Sequence, residues 1–255
     1  MSKEVTFKID DLSSMQVYPK KLFYKGNLDL LKKRKVSIVG TRHPNSYSKK
    51  LTFKIAQELA KRNVAIVSGA AIGVDTLAHK GAEPKNTIAV VANGLDIKYP
   101  RINANMIKSI ENEGLILSAY EDGFEARNYT FVQRNEIVVS LGEVLIVIQA
   151  DEKSGTLTSV EYALKMGKKV YTIPHQLDDS KGTQKFLERG LIEPIYNLKE
   201  FFDEFGELTK NEQNHEVYLS TNPLYDDALK KLGSKLYELE LEGRFSVENG
   251  YIKPN

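Results

Sequence analysis

The sequence has 255 residues and a formal net charge of +2, and its 41% hydrophobic and 27% charged residues are typical of a globular protein with one α/β domain and a small appendage. It contains no cysteine, which excludes disulfide frameworks and thiolate metal sites. The N-terminus lacks the apolar core of a signal peptide, and the longest apolar runs, such as residues 144–148, are too short to span a bilayer, so we expect a cytoplasmic protein that does not bind membranes.

Short apolar runs alternate with helical patterns along residues 36–174. Such runs look buried on both faces, and helices separate them, which is the signature of a parallel, doubly wound sheet. The predicted strands are Val36–Gly40, Ala65–Gly69, Thr87–Ala92, Leu115–Ser118, Val144–Ile148 and Lys169–Pro174. The predicted helices cover residues 46–62, a segment from about 74, and residues 103–113, 131–141 and 157–167. The fold class predicted is α/β, Rossmann-like and mostly parallel.

Two short helices and a hairpin are predicted near the C-terminus. The helices cover Leu224–Leu232 and Ser234–Leu241, and the hairpin covers Arg244–Ile252 with Asn249-Gly250 at its turn. This order predicts a small winged-helix-like domain. The predicted organisation is an N-terminal extension over 1–18, a Rossmann-like domain over 19–202, a linker over 203–215 and the winged-helix-like domain over 216–255.

The charge is distributed unevenly along the chain. Residues 20–62 contain 13 Lys and Arg against 2 acids, whereas residues 216–255 contain 5 basic against 7 acidic residues. The first of these regions is suited to a polyanion and the second is not. The alternative is that the lysines only keep the surface soluble.

The loops after the predicted strands combine Gly, Ser and Thr with the start of a helix. Ligands bind at the carboxyl ends of the strands in an open parallel sheet, and glycine with a helix N-terminus exposes N–H donors to an anion. Any one of these glycines alone indicates no more than a tight turn. Arg42 adds a guanidinium that can bind a phosphate or stack on a base. Together the loops predict a phosphate-binding surface that contains Gly40, Thr41, Arg42, Ser68, Gly69, Ser154, Gly155 and Thr156.

A second stretch places aromatic residues beside cations. Phe131 and Arg134 lie together in the segment 129–135. Single-stranded nucleic acid binds to such a combination, because bases stack on the rings while cations hold the phosphates. A core position for Phe131 is the alternative. The predicted DNA-binding residues of this stretch are Thr130, Phe131, Arg134 and Asn135.

Common catalytic and cofactor motifs are absent from the sequence. Only Gly40 occupies the first turn, so the dinucleotide fingerprint is missing, and there is no P-loop. The four histidines have no metal-ligand spacing. Asp75 and His79 could form a catalytic dyad, although a structural polar pair at a helix start is the commoner arrangement. We therefore expect no enzyme activity, no cofactor and no metal.

Six ordered motifs in the sequence resemble the DNA-processing protein A family (DprA, also called Smf). They are Val39-Gly40-Thr41-Arg42, Ser68-Gly69-x-Ala71-x-Gly73-Val74-Asp75, Ala78-His79, Gly94-Leu95-Asp96-x-x-Tyr99-Pro100, Arg134-Asn135 and Ser154-Gly155-Thr156-Leu157-Thr158. The resemblance covers roughly residues 19–195 and implies a homodimer that binds and protects single-stranded DNA in natural transformation and helps load a RecA-type recombinase, without established catalysis. It places the DNA contacts on Arg42, Phe131, Arg134 and Asn135 and leaves open whether duplex DNA binds.

Two positions depart from the family pattern. Ile72 and Glu136 stand where the family usually has arginine. We expect these changes to reduce the phosphate contacts of their loops, so that Arg42 contributes a larger share of the binding.

An enzyme is the alternative function, and the C-terminal domain carries a separate prediction. Ser68-Gly69, Ser154-Gly155-Thr156 and Glu161 also resemble the nucleotide phosphoribohydrolases of the lysine decarboxylase-like group, with Glu161 as the acid, although Ser154 replaces one of that group's glycines. The second helix of the C-terminal domain carries Glu238, Glu240 and Glu242 against Lys235, so we expect it to contact a protein rather than DNA.

Overall fold

A nine-stranded mixed sheet organises residues 1–206. The computed structural model describes residues 1–255, apart from the side chain of Asn211. The sheet has the order β1-β2-β6-β5-β4-β3-β7-β8-β9, in which β1 and β2 are antiparallel and the strands from β6 to β9 are parallel. Its strands are β1 (Lys3–Glu4), β2 (Phe23–Gly26), β3 (Lys35–Val39), β4 (Ala65–Ser68), β5 (Thr87–Val91), β6 (Leu115–Ser118), β7 (Val144–Val147), β8 (Val170–Thr172) and β9 (Glu193–Pro194).

Helices cover both faces of this sheet. Successive strand residues point into different cores, since Val67 and Leu145 pack into one apolar cluster and Ile66 and Ile146 into another. This arrangement confirms the predicted Rossmann-like, doubly wound, mostly parallel fold. The helices are α1 (Ser46–Ala60), α2 (Val74–Ala82), α3 (Ala104–Glu113), α4 (Asn128–Leu141), α5 (Gly155–Lys165), α6 (Lys181–Glu188) and α7 (Leu198–Asp203).

The strand order creates a crevice at the carboxyl end of β3. The chain runs outward from β3 through β4 and β5 to β6, and then returns to β7 on the other side of β3. The loops after β3 and β7 therefore diverge to opposite faces of the sheet. Ligands of doubly wound proteins bind at such a switch point.

Two helices begin earlier than the sequence pattern predicts, and capping explains both. The hydroxyl of Thr130 accepts a hydrogen bond from the Arg127 amide and donates to the Arg127 carbonyl, so α4 begins at Asn128 rather than at 131. The hydroxyl of Ser154 accepts from the amide of Thr156, so α5 begins at Gly155 rather than at 157.

The first 18 residues, predicted as an N-terminal extension, pack onto the sheet. Ile9 and Leu12 are buried in the core below the sheet, and β1 pairs with β2. β1 and β9 each have two residues, which is too short for a periodic pattern to predict.

Residues 207–255 form a second compact unit. Its elements are α8 (Lys210–Ser220), α9 (Tyr225–Leu232), α10 (Ser234–Leu241), β10 (Phe245–Glu248) and β11 (Tyr251–Pro254). Asn249 and Gly250 both have positive φ, as an Asn-Gly hairpin turn requires. Residues 210–215 of the predicted linker are helical; α8 places Leu219 near its end into the core of the unit, while the earlier residues are polar. The winged-helix-like classification stays a prediction.

Candidate membrane spans and candidate metal sites are both absent from the described residues. None of the helices in the described residues combines the length and apolar composition that crossing a membrane requires. Within the same residues, no three His, Cys, Asp or Glu side chains are grouped so that they could hold a metal ion.

Candidate functional site

Two adjoining cavities lie at the carboxyl ends of the central strands. The larger, which we call the cleft, has a volume of about 480 Å³, and the smaller, which we call the side pocket, has about 70 Å³. Five residues line both cavities: Arg42, Gly69, Ala71, Phe131 and Arg134. The cleft lies at the switch point of the sheet, where the loops after β3, β4 and β7 meet the first turns of α4.

The ring of Phe131 is the centre of this region. It is half-buried, and the guanidinium carbon of the exposed Arg42 lies 5.8 Å from its centroid. The guanidinium carbon of Arg134 lies 5.9 Å from the same centroid, and the ring of Tyr99 lies 6.0 Å away, centre to centre. Guanidinium groups are attracted to aromatic faces at these distances. The cleft therefore presents an aromatic ring together with an exposed cation.

Arg134 lies beneath the cleft rather than on its rim. Only 5% of the residue is exposed, and its Nη1 donates a hydrogen bond of 3.1 Å to the carbonyl of Val90. Its Nη1 also lies 3.9 Å from the Asp75 carboxylate. A Cβ atom at Gly69 would lie 1.5 Å from that Nη1 atom, so any larger residue there would displace the Arg134 guanidinium. Arg134, a residue of α4, thus contacts both β5 and the loop after β4 from its position beneath the cleft.

Asp75 fixes the loop after β4. Its Oδ2 accepts hydrogen bonds from the amides of Gly69 and Ala71, at 3.1 and 3.3 Å. Burial raises the pKa of Asp75, while the Arg134 guanidinium and these amide donors oppose the rise. The carboxylate is therefore committed to the loop and to Arg134.

His79 does not form a dyad with Asp75. Its Nδ1 lies 2.6 Å from the hydroxyl of Thr87, which donates its own hydrogen to the carbonyl of Ile66. The histidine is therefore the donor of the pair and is neutral. Burial and, to a smaller extent, the charge of Arg134 together lower the pKa of His79 to about 3. The pair Asp75 and His79 is structural, which agrees with the commoner of the two arrangements considered above.

Backbone donors complete the wall of the cleft. Ser154 caps α5, and Gly155 has no other heavy atom within 4 Å of the position of a Cβ, so the first turn of α5 is open to an anion.

Gly73 allows two loops at the cleft to approach each other. It has a φ of +84°, and a Cβ there would lie 2.5 Å from the carbonyl of Thr41. This close approach packs the loop after β3 onto the loop after β4.

Most predicted site residues line the cleft, and two do not. Those that line it are Gly40, Thr41, Arg42, Gly69, Phe131, Arg134, Asn135, Ser154, Gly155 and Thr156. Ser68 is fully buried and donates to the carbonyl of Ile38, at 2.7 Å, because its side chain points into the sheet. Thr130 is fully buried and caps α4. Both side chains are thus buried and hydrogen-bonded within the protein, away from the cleft.

Asn128 and Val132 line the cleft although the sequence pattern does not reveal them. Together with Phe131 and Asn135 they occupy one face of α4, at spacings of three, four and seven residues. The start of α4 at Asn128 is the signal that would have identified them.

The two departures from the family pattern have different consequences. Ile72 lines the side pocket, where an arginine would have added a cation. Glu136 lies outside both cavities and accepts a hydrogen bond from the amide of Gln16, at 3.0 Å. The expected loss of a phosphate contact at Glu136 stays a prediction. Glu161, the acid of the alternative enzyme hypothesis, is exposed and also lies outside both cavities.

Comparisons with known proteins identify the family of this chain. A family model described as DNA recombination-mediator protein A matches residues 7–206. The DNA processing protein DprA of Streptococcus pneumoniae is 40% identical over 184 residues, which are 71% of this chain and 65% of that protein. DprA of Bacillus subtilis is 34% identical over 201 residues, which are 77% of this chain and 67% of that protein. The chain thus spans about two thirds of the length of these relatives.

Solved structures of similar proteins share the fold. DNA processing protein A from Helicobacter pylori, which binds single-stranded DNA, has 38% identity and a TM-score of 0.78, covering 80% of this chain and 95% of that chain. DprA from Streptococcus pneumoniae has 36% identity and a TM-score of 0.74, covering 81% of this chain and 75% of that chain. On the family match and these similarities, the chain belongs to the DNA recombination-mediator protein A family.

Proposed function

We propose that this protein binds single-stranded DNA in the cleft and has no catalytic role there. The observation that carries the proposal is the exposed guanidinium of Arg42 beside the half-buried ring of Phe131, in a cleft walled by the first turn of α5. The single-stranded DNA binding of the Helicobacter pylori relative supports it.

Each part of the cleft has a task in this proposal. Arg42 and the amides at the start of α5 bind phosphates, while a base stacks on Phe131. A stacked base contributes about 1–3 kcal/mol, and stacking tolerates any base. Because phosphate contacts carry no sequence information, we expect little sequence preference.

The surroundings of Asp75 and His79 support a role without catalysis. Asp75 is held by two amides and Arg134, and His79 is neutral and buried. A general acid or base must reach its substrate with a proton to exchange. His79 lines neither cavity, and Asp75, which does line the cleft, is already engaged by these partners.

We also propose the wider role that family membership suggests. The protein acts as a cytoplasmic homodimer that protects incoming DNA and helps load a RecA-type recombinase during natural transformation. The acidic helix α10, with Glu238 and Glu240 exposed, contacts a protein rather than DNA. Loading is measured as the rate at which a RecA-type recombinase covers strands already coated with a single-strand-binding protein. A rate unchanged by this protein would contradict that role.

The DNA-binding proposal is tested by fluorescence anisotropy with a labelled single strand at several salt concentrations. The affinity of the wild-type protein should fall steeply with salt, because bound phosphates release counterions. Arg42→Ala should weaken binding by about tenfold to a hundredfold, which is the range for hydrogen bonds to charged groups. Arg189→Ala, an exposed arginine on the turn after α6, is the matched control and should leave affinity unchanged. An Arg42→Ala affinity within twofold of wild type would contradict the proposal.

A further inference from the structure

The basic segment of residues 20–62 contains two kinds of cation. Most of its members are held in ion pairs, which are Lys21 with Glu121, Lys25 with Glu111, Lys32 with Asp29, Arg34 with Glu143, Lys35 with Asp11, and Lys61 and Arg62 with Glu58. Lys49, Lys50 and Lys54 of α1 are exposed, and none of them forms an ion pair anywhere in the described part of the chain. The charge available to a polyanion is therefore concentrated on α1.

These lysines share the outer side of α1 with two aromatic residues. Tyr47 is 48% exposed and Phe53 is 38% exposed. Tyr47 is three residues from Lys50 and seven from Lys54, and Lys49 is four residues from Phe53, so these residues form neighbouring stripes on the helix surface. The opposite side is buried against the sheet through Thr52, Ile55, Ala56 and Leu59.

Helix α2 packs closely against α1 near Phe53 and carries a further exposed lysine. A Cβ atom at Gly81 would lie 2.4 Å from the carbonyl of Phe53, so α2 approaches α1 closely at this point. Lys80, next to Gly81, is exposed and has no ion pair within the described residues. We call Tyr47, Lys49, Lys50, Phe53, Lys54 and Lys80 the α1 face.

The α1 face continues from the cleft. Helix α1 begins at Ser46, four residues after Arg42, and the side chain of Asn45 caps it by accepting from the amide of Ser48, at 2.8 Å. Residues 46–54 extend about 12 Å at about 1.5 Å per residue. That length accommodates about two nucleotides of an extended strand.

The lysines of α1 do not improve the stability of their helix. Cations near a helix N-terminus oppose the helix dipole, and α1 has no acid in its first turn. Lys50 and Lys54 repel each other because they are four residues apart. The acid of this helix, Glu58, is buried near its other end, where it pairs with Lys61 and Arg62. A sequence selected for helix stability alone would place acids among these lysines.

We infer that the α1 face is a second contact surface for single-stranded DNA, along which the phosphodiester backbone continues after it leaves the cleft. The inference rests on the proposed function, because it gives the path of the same strand. The lysines neutralise phosphates, and Tyr47 and Phe53 are rings on which bases stack. The cleft alone holds a short strand, whereas a longer strand also occupies the α1 face.

The test compares strand lengths in the full chain. The triple variant Lys49→Ala, Lys50→Ala and Lys54→Ala should bind an oligonucleotide of about 20 nucleotides about tenfold more weakly than wild type at low salt, and should bind one of about two nucleotides, which the cleft alone can hold, with unchanged affinity. Its salt slope on the longer strand should be shallower by about 1.4, since the α1 face holds about two nucleotides and each lost phosphate contact on a single strand contributes about 0.7. Alanine is the best helix former, so α1 remains folded.

The matched control removes the same charge elsewhere. Lys108→Ala, Lys165→Ala and Lys199→Ala together replace exposed lysines of α3, α5 and α7, and this variant should bind both lengths like wild type. The inference is overturned if the two triple variants lose equal affinity, if the α1 variant loses equal affinity for both lengths, or if its loss is confined to duplex DNA. Arg42→Ala distinguishes failure of the proposed function from failure of the inference about the α1 face. If Arg42→Ala binds the short strand as tightly as wild type does, the proposed binding in the cleft is wrong.

Discussion

The rim and the floor of the cleft use the same residue type for different purposes. Arg42 on the rim and Arg134 on the floor lie at nearly equal distances from the ring of Phe131, 5.8 and 5.9 Å. Arg42 is exposed, whereas Arg134 is buried and bonded to the carbonyl of Val90. Burial therefore decides which arginine meets a ligand and which holds the loops in place. The rim should control affinity, and the floor should control stability.

The largest expected effect is on the floor. Arg134→Ala should lower the free energy of unfolding by about 3–5 kcal/mol, because it leaves the buried carboxylate of Asp75 without its guanidinium partner. Urea unfolding measures this loss. Arg42→Ala is the control and should change the same free energy by less than about 0.5 kcal/mol. A loss below about 1 kcal/mol for Arg134→Ala would remove the distinction between floor and rim.

His79, a buried residue of α2, makes the stability of the protein depend on pH. The folded chain keeps His79 neutral down to a pKa of about 3, while the unfolded chain binds a proton below about pH 6.5. The stability that this histidine contributes is thus fully present above about pH 6.5 and is lost as the pH falls toward 3. The expected loss from His79 between about pH 7.5 and about pH 5 is about 2 kcal/mol.

His79→Gln isolates this contribution, because glutamine does not titrate. Urea unfolding of both proteins at the two pH values gives the difference. The variant should lose about 2 kcal/mol less stability than wild type over the same interval. An identical pH dependence in the two proteins would show that His79 is protonated in the folded chain.

Local sequence signals were sufficient for the strands and for most of the cleft. Gly40, Arg42 and Gly155 follow buried strands, so their place at the carboxyl edge follows from the parallel fold. The burial of Arg134 was not predictable in this way. It depends on the carbonyl of Val90, 44 residues away, and on the missing side chain of Gly69.

The sequence also could not indicate which basic residues are free to bind a polyanion. The 13 basic residues of the segment 20–62 predicted a polyanion surface without indicating which cations are available. Arg34 and Lys21 pair with acids 109 and 100 residues away, so only the fold separates them from the lysines of α1.

The central claim is that a base stacks on the side chain at position 131. The sequence contains no tryptophan, so Phe131→Trp introduces a single indole reporter at the cleft. Titration with single-stranded DNA should quench its emission in a saturable way, with the same midpoint as the anisotropy titration, because stacking on a base quenches indole. Tyr196→Trp, at a position that is 83% exposed and outside the cleft, should keep its emission. Binding seen by anisotropy without any change in the emission of Phe131→Trp would contradict the account.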